Sequence, residues 1–132
     1  MTVYGEGKQK RTFLNILDTL QCVDIASQNI PQKGEYRVFN QFTEVFSILE
    51  LAEIIKQQSE KKNINVKIEK IENPRVEQAE HYYNPKNFNF KKLGLKPKKI
   101  SDVILNEMID EIVKYKNNFK SELILPKIKW KR

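Results

Sequence analysis

Residues 73 to 85 read Asn-Pro-Arg-Val-Glu-Gln-Ala-Glu-His-Tyr-Tyr-Asn-Pro and hold the chain's one histidine. Two Asn-Pro breakers bound a run in which Arg75 stands among Glu77, Glu80, His81 and two adjacent tyrosines. A cation set among acids and aromatic rings suits an anion joined to a flat ring, such as a nucleotide. The guanidinium presents a planar fork of donors to phosphate oxygens, and a second fork from Arg11 would let two arginines straddle a pyrophosphate. Glu77, two residues beyond Arg75, can accept hydrogen bonds from a ribose diol. Composition alone favours the plainer assignment for each: a surface ion pair for either arginine and a solvated carboxylate for Glu77.

Other chemistry has less support. One histidine gives no zinc-type ligand set, so no metal is expected. His81 as a general base lacks a nucleophile at a telling position. Tyr82 and Tyr83 suit packing or hydroxyl donation. Tyr4-Gly5-Glu6-Gly7 reads as a turn or as a loop approaching a phosphate, without the third spaced glycine or the Gly-Lys-Ser/Thr that would make it a nucleotide fingerprint. Cys22 falls on an apolar helix-like stretch and reads as packing. As the only cysteine it excludes an intrachain disulfide and favours a reducing compartment, with the cytoplasm as the expected address.

These residues need elements to position them. Phe13, Leu14 and Ile16 are core candidates in a β-favouring stretch. Asp18-Thr19 is expected to cap a helix to about Gln28, with Leu20, Val23 and Ala26 on its buried face. Pro31 and Gly34 mark a loop, and Glu35 to Asn40 a short strand. Ser47 and Glu50 form a capping box ahead of an amphipathic helix to about Glu60, with Ile48, Leu51, Ala52 and Ile55 inward. Ile64, Val66 and Ile68 alternate as in a half-buried strand that leads into Asn73. Asn84 and Pro85 are expected to start a short helix ended by Gly94. Ser101 is expected to cap the longest helix, bearing Leu105, Met108, Ile109, Ile112 and Val113 and running to about Asn118. Trp130 reads as a packing anchor.

Alternating helices and strands place the chain in the α/β class. Its 132 residues suffice for one modest core, but two or three strands are few for a doubly wound sheet, so it reads as part of something larger. No run approaches the roughly 18 apolar residues of a membrane span. The formal charge of +7 permits a polyanion partner, yet the lysines are spread along the chain with no nucleic-acid-binding signature. A solvated lysine-rich surface is the expected reading.

Several strings together resemble a family. Gly7-Lys8-Gln9-Lys10-Arg11-Thr12-Phe13-Leu14-Asn15-Ile16 and Asp18-Thr19-Leu20-Gln21-Cys22-Val23 are similar to the pattern after the catalytic core of extended short-chain dehydrogenases acting on nucleotide sugars. Arg37-Val38-Phe39-Asn40-Gln41-Phe42-Thr43-Glu44, Asn73-Pro74-Arg75-Val76-Glu77 and His81-Tyr82-Tyr83-Asn84 narrow the resemblance to the UDP-sulfoquinovose synthases. Leu93-Gly94-Leu95 and Pro126 to Lys131 fit the same pattern, while Thr12 and Asn15 depart from it. The resemblance implies a fold made of the end of a Rossmann sheet plus a small α/β substrate-binding domain, with residues 1–46 in the former and its exit and 47–132 mostly in the latter. It implies an enzyme, completed either by more of the same chain or by a second chain that supplies the other half, that binds NAD and UDP-glucose as a homodimer; another NAD-dependent nucleotide-sugar epimerase or dehydratase is the alternative. Oxidation at the sugar's C4, loss of water across C5 and C6, and addition of sulfite at C6 would precede return of the hydride. Arg11 and Arg75 match positions holding the UDP pyrophosphate, and Glu77 falls near the ribose. Gln41 and His81 are neighbourhood assignments. The reacting groups, including a catalytic tyrosine and lysine, are expected outside this chain, which is expected to be inactive alone and to expose apolar surface where the missing sheet would pack.

These readings separate in a titration. The nucleotide reading expects UDP-sugar binding and no steeply salt-dependent affinity for oligonucleotides. Oligonucleotide binding that falls steeply with salt, with no preference for UDP-sugars, would instead show a basic nucleic-acid-binding module.

Overall fold

The computed structural model describes residues 1–74, 84–100 and 104–123. Two small sheets and four helices make up the described chain. In order they are β1 (Thr2–Tyr4), β2 (Lys10–Phe13), α1 (Ile16–Gln28), β3 (Glu44–Ser47), α2 (Ile48–Glu60), β4 (Glu69–Ile71), α3 (Asn89–Lys92) and α4 (Leu105–Lys114). Parallel β1 and β4 pair Thr2 with Glu69 and Tyr4 with Ile71. Antiparallel β2 and β3 pair Arg11 with Phe46 and Phe13 with Glu44. The mixture is the α/β architecture expected. Short 3₁₀ turns at Lys116–Asn118 and Ser121–Leu123 follow α4.

Helix α1 starts earlier than the sequence suggests because Asn15, not Asp18, is its N-cap. Asn15 is extended (φ −76°, ψ 160°) and its Oδ1 accepts from the Asp18 amide at 2.8 Å. Asp18 is thereby placed in the first turn, where the helix dipole favours a negative charge. The register also settles which stripe is buried. Cys22 is fully buried with Phe90 and Leu95, and Ile25 and Ala26 pack against that cluster. Leu20 and Val23, expected inside, are 59% and 57% exposed, and Ile16 is 71% exposed. Positions 16, 20 and 23 keep helical spacing as well as 18, 22, 25 and 26 do, so α1 is apolar on two faces. Only one is covered by described residues.

Chain segments 35–40 and 64–68 show how pairing partners decide strand identity. Glu35 to Asn40 is unpaired among the described residues, with Tyr36 90% exposed and Val38 64% exposed. Its β-favouring side chains have no neighbouring strand to join. Ile64, Val66 and Ile68 do alternate half-buried with exposed neighbours, but ladder pairing begins only at Glu69, where β1 lies alongside.

The chain passes from β3 straight into α2 through Ser47. Its Oγ accepts from the Glu50 amide at 3.1 Å while Glu50 Oε2 accepts from the Ser47 amide at 2.7 Å, the reciprocal capping box expected. Helix α2 packs on β1, β3 and α4, burying Ala52 and Ser59. The β1–β2 turn closes against its start. Gly7 is in the left-handed region (φ +68°), and a Cβ there would lie 2.7 Å from Val3 Cγ1 and 3.1 Å from Leu49. Only glycine fits.

Two later elements are shorter than expected. Helix α3 begins at Asn89 rather than Asn84 and has no side-chain cap, though Gly94 (φ +103°) ends its turn. Helix α4 spans ten residues against thirteen for α1 and α2; Leu105 and Ile109 are buried, whereas Met108, Ile112 and Val113 are exposed. Ser101 and Trp130 lie outside the described residues.

The capping box carries a pH signature. The Ser47 amide, followed by its hydroxyl, holds the Glu50 carboxyl below its ordinary value. A lowered folded-state pKa stabilises fully above the unfolded value and is lost as pH falls through the lowered one. Ser47→Ala is expected to cost about 1 kcal/mol in urea unfolding. The gap between wild type and Glu50→Gln should close as the solution is acidified through that range, and a pH-independent gap would contradict the assignment.

Candidate functional site

Strand β2 carries Arg11 on the same face as Phe13, since alternate residues of a strand share a side. Their partners across the ladder, Phe46 and Glu44, lie on that face too. The Phe13 and Phe46 rings sit 6.1 Å apart. Arg11 is half-buried, and its Nη1 donates to the Lys10 carbonyl at 2.9 Å. The pairing extends one step past β3, where the Thr43 amide donates to the Phe13 carbonyl at 2.8 Å. Gln41 is exposed two residues before that bond, in the turn that enters β3.

A basic strap, Lys96 to Ile100, crosses this region and is held at every second amide by a side-chain acceptor. Lys96 N donates to Gln21 Oε1 at 2.7 Å, Lys98 N to Asp18 Oδ2 at 2.9 Å and Ile100 N to Glu44 Oε2 at 2.5 Å. Asn15 Nδ2 donates both to Asp18 Oδ2 at 2.7 Å and to the Lys98 carbonyl at 3.0 Å. Asp18 is 2% exposed, so these bonds are what make a carboxylate tolerable there. The strap thus joins the start of α1 to the sheet face that bears Arg11.

Arg75, Glu77 and His81 lie outside the described residues. The described residues on both flanks of that segment are held by other elements. At the near flank, the Gly5 amide donates to the Ile71 carbonyl at 2.8 Å, and a Cβ on Gly5 would lie 3.7 Å from Asn73 Cβ. At the far flank, Asn40 Nδ2 donates to the Lys86 carbonyl at 3.1 Å and Asn87 Nδ2 donates to the Phe42 carbonyl. Residues up to Asn73 thus lie along the β1–β4 sheet beside the glycine turn, and Lys86 and Asn87 lie against the residues on either side of Gln41.

Several alternatives lose ground. Gly7 is packed on Val3 and Leu49, so its lack of a side chain is accounted for by the close packing of the β1–β2 turn on the start of α2. Two pairs have Tyr-x-x-x-Lys spacing, Tyr4 with Lys8 and Tyr82 with Lys86. Tyr4 ends β1 and Lys8 follows the glycine turn, so no helical turn brings them onto one face; Tyr82 lies outside the described residues. Burial, and to a smaller degree Asp18, push the Cys22 thiol up, away from nucleophilic reactivity. Arg37 braces the chain instead of facing a ligand: its Nε and Nη2 meet the Glu35 carboxylate at 2.5 and 2.7 Å, and Nη1 reaches the Asn29 carbonyl. Among the described residues no group of three acids, histidines or cysteines could hold a metal, and no helix is long and apolar enough to cross a membrane.

No family model matches the chain. Individual relatives do. All 132 residues align at 45% identity with UDP-sulfoquinovose synthase, chloroplastic, of Spinacia oleracea, covering 27% of that protein. The whole chain also aligns at 42% identity with UDP-sulfoquinovose synthase of Sulfolobus acidocaldarius, covering 34% of it. From end to end, the chain is similar to the C-terminal portion of UDP-sulfoquinovose synthases. It spans about a quarter to a third of the length of these relatives. Sequence reading missed the two sets of anchors. Asn15 and Asp18 were visible as polar residues beside an apolar helix, and Asn40 and Asn87 as asparagines in irregular stretches, but each needs a partner more than 40 residues away.

Proposed function

We propose that this chain is the UDP-sugar-binding part of an NAD-dependent enzyme that forms UDP-sulfoquinovose from UDP-glucose and sulfite. The observation that carries the reading is full-length identity of 45% and 42% to two synthases from a plant and an archaeon. Within it, Arg11 and Arg75 hold the pyrophosphate oxygens through charge-assisted forks. Glu77 accepts from the ribose hydroxyls, and Gln41 and His81 line the neighbouring sugar end. The bonds from Asn40 to Lys86 and from Asn87 to Phe42, on either side of Gln41, support grouping Gln41 with the residues that precede Lys86.

NAD, when bound by the remainder of the longer protein, supplies the hydride acceptor and donor for the sugar's C4. The residues here contribute binding and orientation, and the chain alone is inactive. The exposed apolar stripe of Ile16, Leu20 and Val23 and the unpaired segment 35–40 fit a chain that completes its fold against that remainder. A reducing, cytoplasmic setting accords with the single free, buried cysteine.

The test is UDP-glucose binding by the longer protein containing this chain. Charge-removing changes at Arg11 and Arg75 are each expected to weaken binding by about 1.5–3 kcal/mol. Unchanged affinity in both variants would discard the pyrophosphate role. Turnover without sulfite dependence would discard the synthase.

A further inference from the structure

Lysines are spread along the chain, but its acids are not. Residues 84–100 hold six of the 24 lysines and arginines, namely Lys86, Lys91, Lys92, Lys96, Lys98 and Lys99, and none of the 17 acids. One segment therefore carries six of the seven net positive charges, and the rest of the chain is close to neutral. All six lysines are exposed. Among the described residues none of their ammonium groups forms an ion pair, whereas Lys56, Lys62, Lys70 and Lys114 each meet a carboxylate.

The fold does not account for them. The strap is held through its main-chain amides at Lys96, Lys98 and Ile100, and α3 through Phe90 in the buried cluster, so no lysine head group fastens this segment. Like charges crowded on one segment also repel, which opposes the compact state. Their position supplies a reason. The segment starts beside the Gln41 turn, where the Lys86 carbonyl accepts from Asn40 Nδ2 at 3.1 Å. It ends at Ile100, whose amide donates to Glu44 on the sheet face that bears Arg11. Asp18 from α1 and Glu44 from β3 are the carboxylates bonded to the strap, each giving an oxygen to one of its amides. Two negative charges against six leave the rim between Gln41 and Arg11 positive.

We propose that the lysines of residues 84–100 form an anion-collecting rim. They draw the anionic substrates, a nucleoside diphosphate sugar and sulfite, toward Arg11 and Gln41 by long-range attraction and touch neither once it is bound. A field of one sign beside a site concentrates the opposite charge and speeds association, and salt screens it. The inference rests on the UDP-sugar reading above and adds how the substrates arrive.

The experiment uses the complete enzyme that includes this chain, with stopped-flow association of UDP-glucose and steady-state kinetics in sulfite, at low salt and at about 0.5 M salt. Wild type is compared with the combined variant Lys96→Gln, Lys98→Gln and Lys99→Gln. Glutamine keeps most of the stem, and the strap's own bonds are main-chain, so the fold is retained. A control removes the same charge from other elements, as Lys61→Gln, Lys116→Gln and Lys120→Gln combined. At low salt the strap variant is expected to lower the UDP-glucose association rate and kcat/KM for sulfite by roughly three- to tenfold, with kcat and UDP-glucose dissociation unchanged. The loss should vanish at high salt, and the control should stay within about twofold of wild type. Unchanged association at low salt, a loss that persists at high salt, or an equal loss in the control would overturn the rim. Absence of UDP-glucose binding in the wild-type enzyme would instead remove the functional reading on which it rests.

Discussion

A buried carboxylate organises the better-packed half of this molecule. Asp18 is 2% exposed, and the Lys98 amide and the Asn15 carboxamide converge on its Oδ2. An ionised group so placed needs such donors, because desolvation without them would cost several kcal/mol. Three things follow from meeting that need. Asn15 is fixed as the helix cap, α1 is rotated so that Cys22 faces inward, and the strap from Lys96 to Ile100 is drawn across the helix start. The cluster of Cys22, Phe90 and Leu95 closes underneath. Had α1 been rotated to bury Leu20 and Val23, the carboxylate would have lost its partners.

The same kind of bond, side-chain amide to backbone carbonyl, assembles the candidate site. Asn40 and Asn87 link segments about 45 residues apart, and Gly5 meets Asn73 at the other flank. Arg11 reaches the region by a different route, through the β2–β3 ladder. Surface ion pairs such as Lys70 with Glu6 and Lys62 with Asp110 add little to this arrangement, being exposed and screened. Directional bonds, not net charge, hold these segments together. A total charge of +7 therefore says little by itself about the partner.

Legibility in the sequence followed the range of the interactions. The capping box at Ser47 and Glu50 is a local device, and the helix it starts ends at Glu60, as its spacing indicates. The α/β class follows from alternation of elements in the same way. The face of α1 was misread because two stripes have equally good helical spacing, and the choice between them is made at Lys98, 80 residues on. Glu35 to Asn40 reads as a strand because its side chains favour one, but strands exist in pairs and no described neighbour is present. The residue types of Asn73 to Pro85 read as a nucleotide handle, and Arg75, Glu77 and His81 among them lie outside the described residues. The ties made by Asn40 and Asn87 were not legible, since an asparagine in an irregular stretch is ordinary turn chemistry until its partner is known.

The central proposal is that two guanidinium forks, Arg11 and Arg75, hold a pyrophosphate in a complete enzyme that includes this chain. Calorimetric titration of that protein with UDP, UMP and uridine isolates the second phosphate from ring and ribose. The account expects UDP to bind tighter than UMP by at least about tenfold, as one added charge-assisted hydrogen bond would give, with uridine weaker still. Equal affinities for UDP and UMP would contradict it.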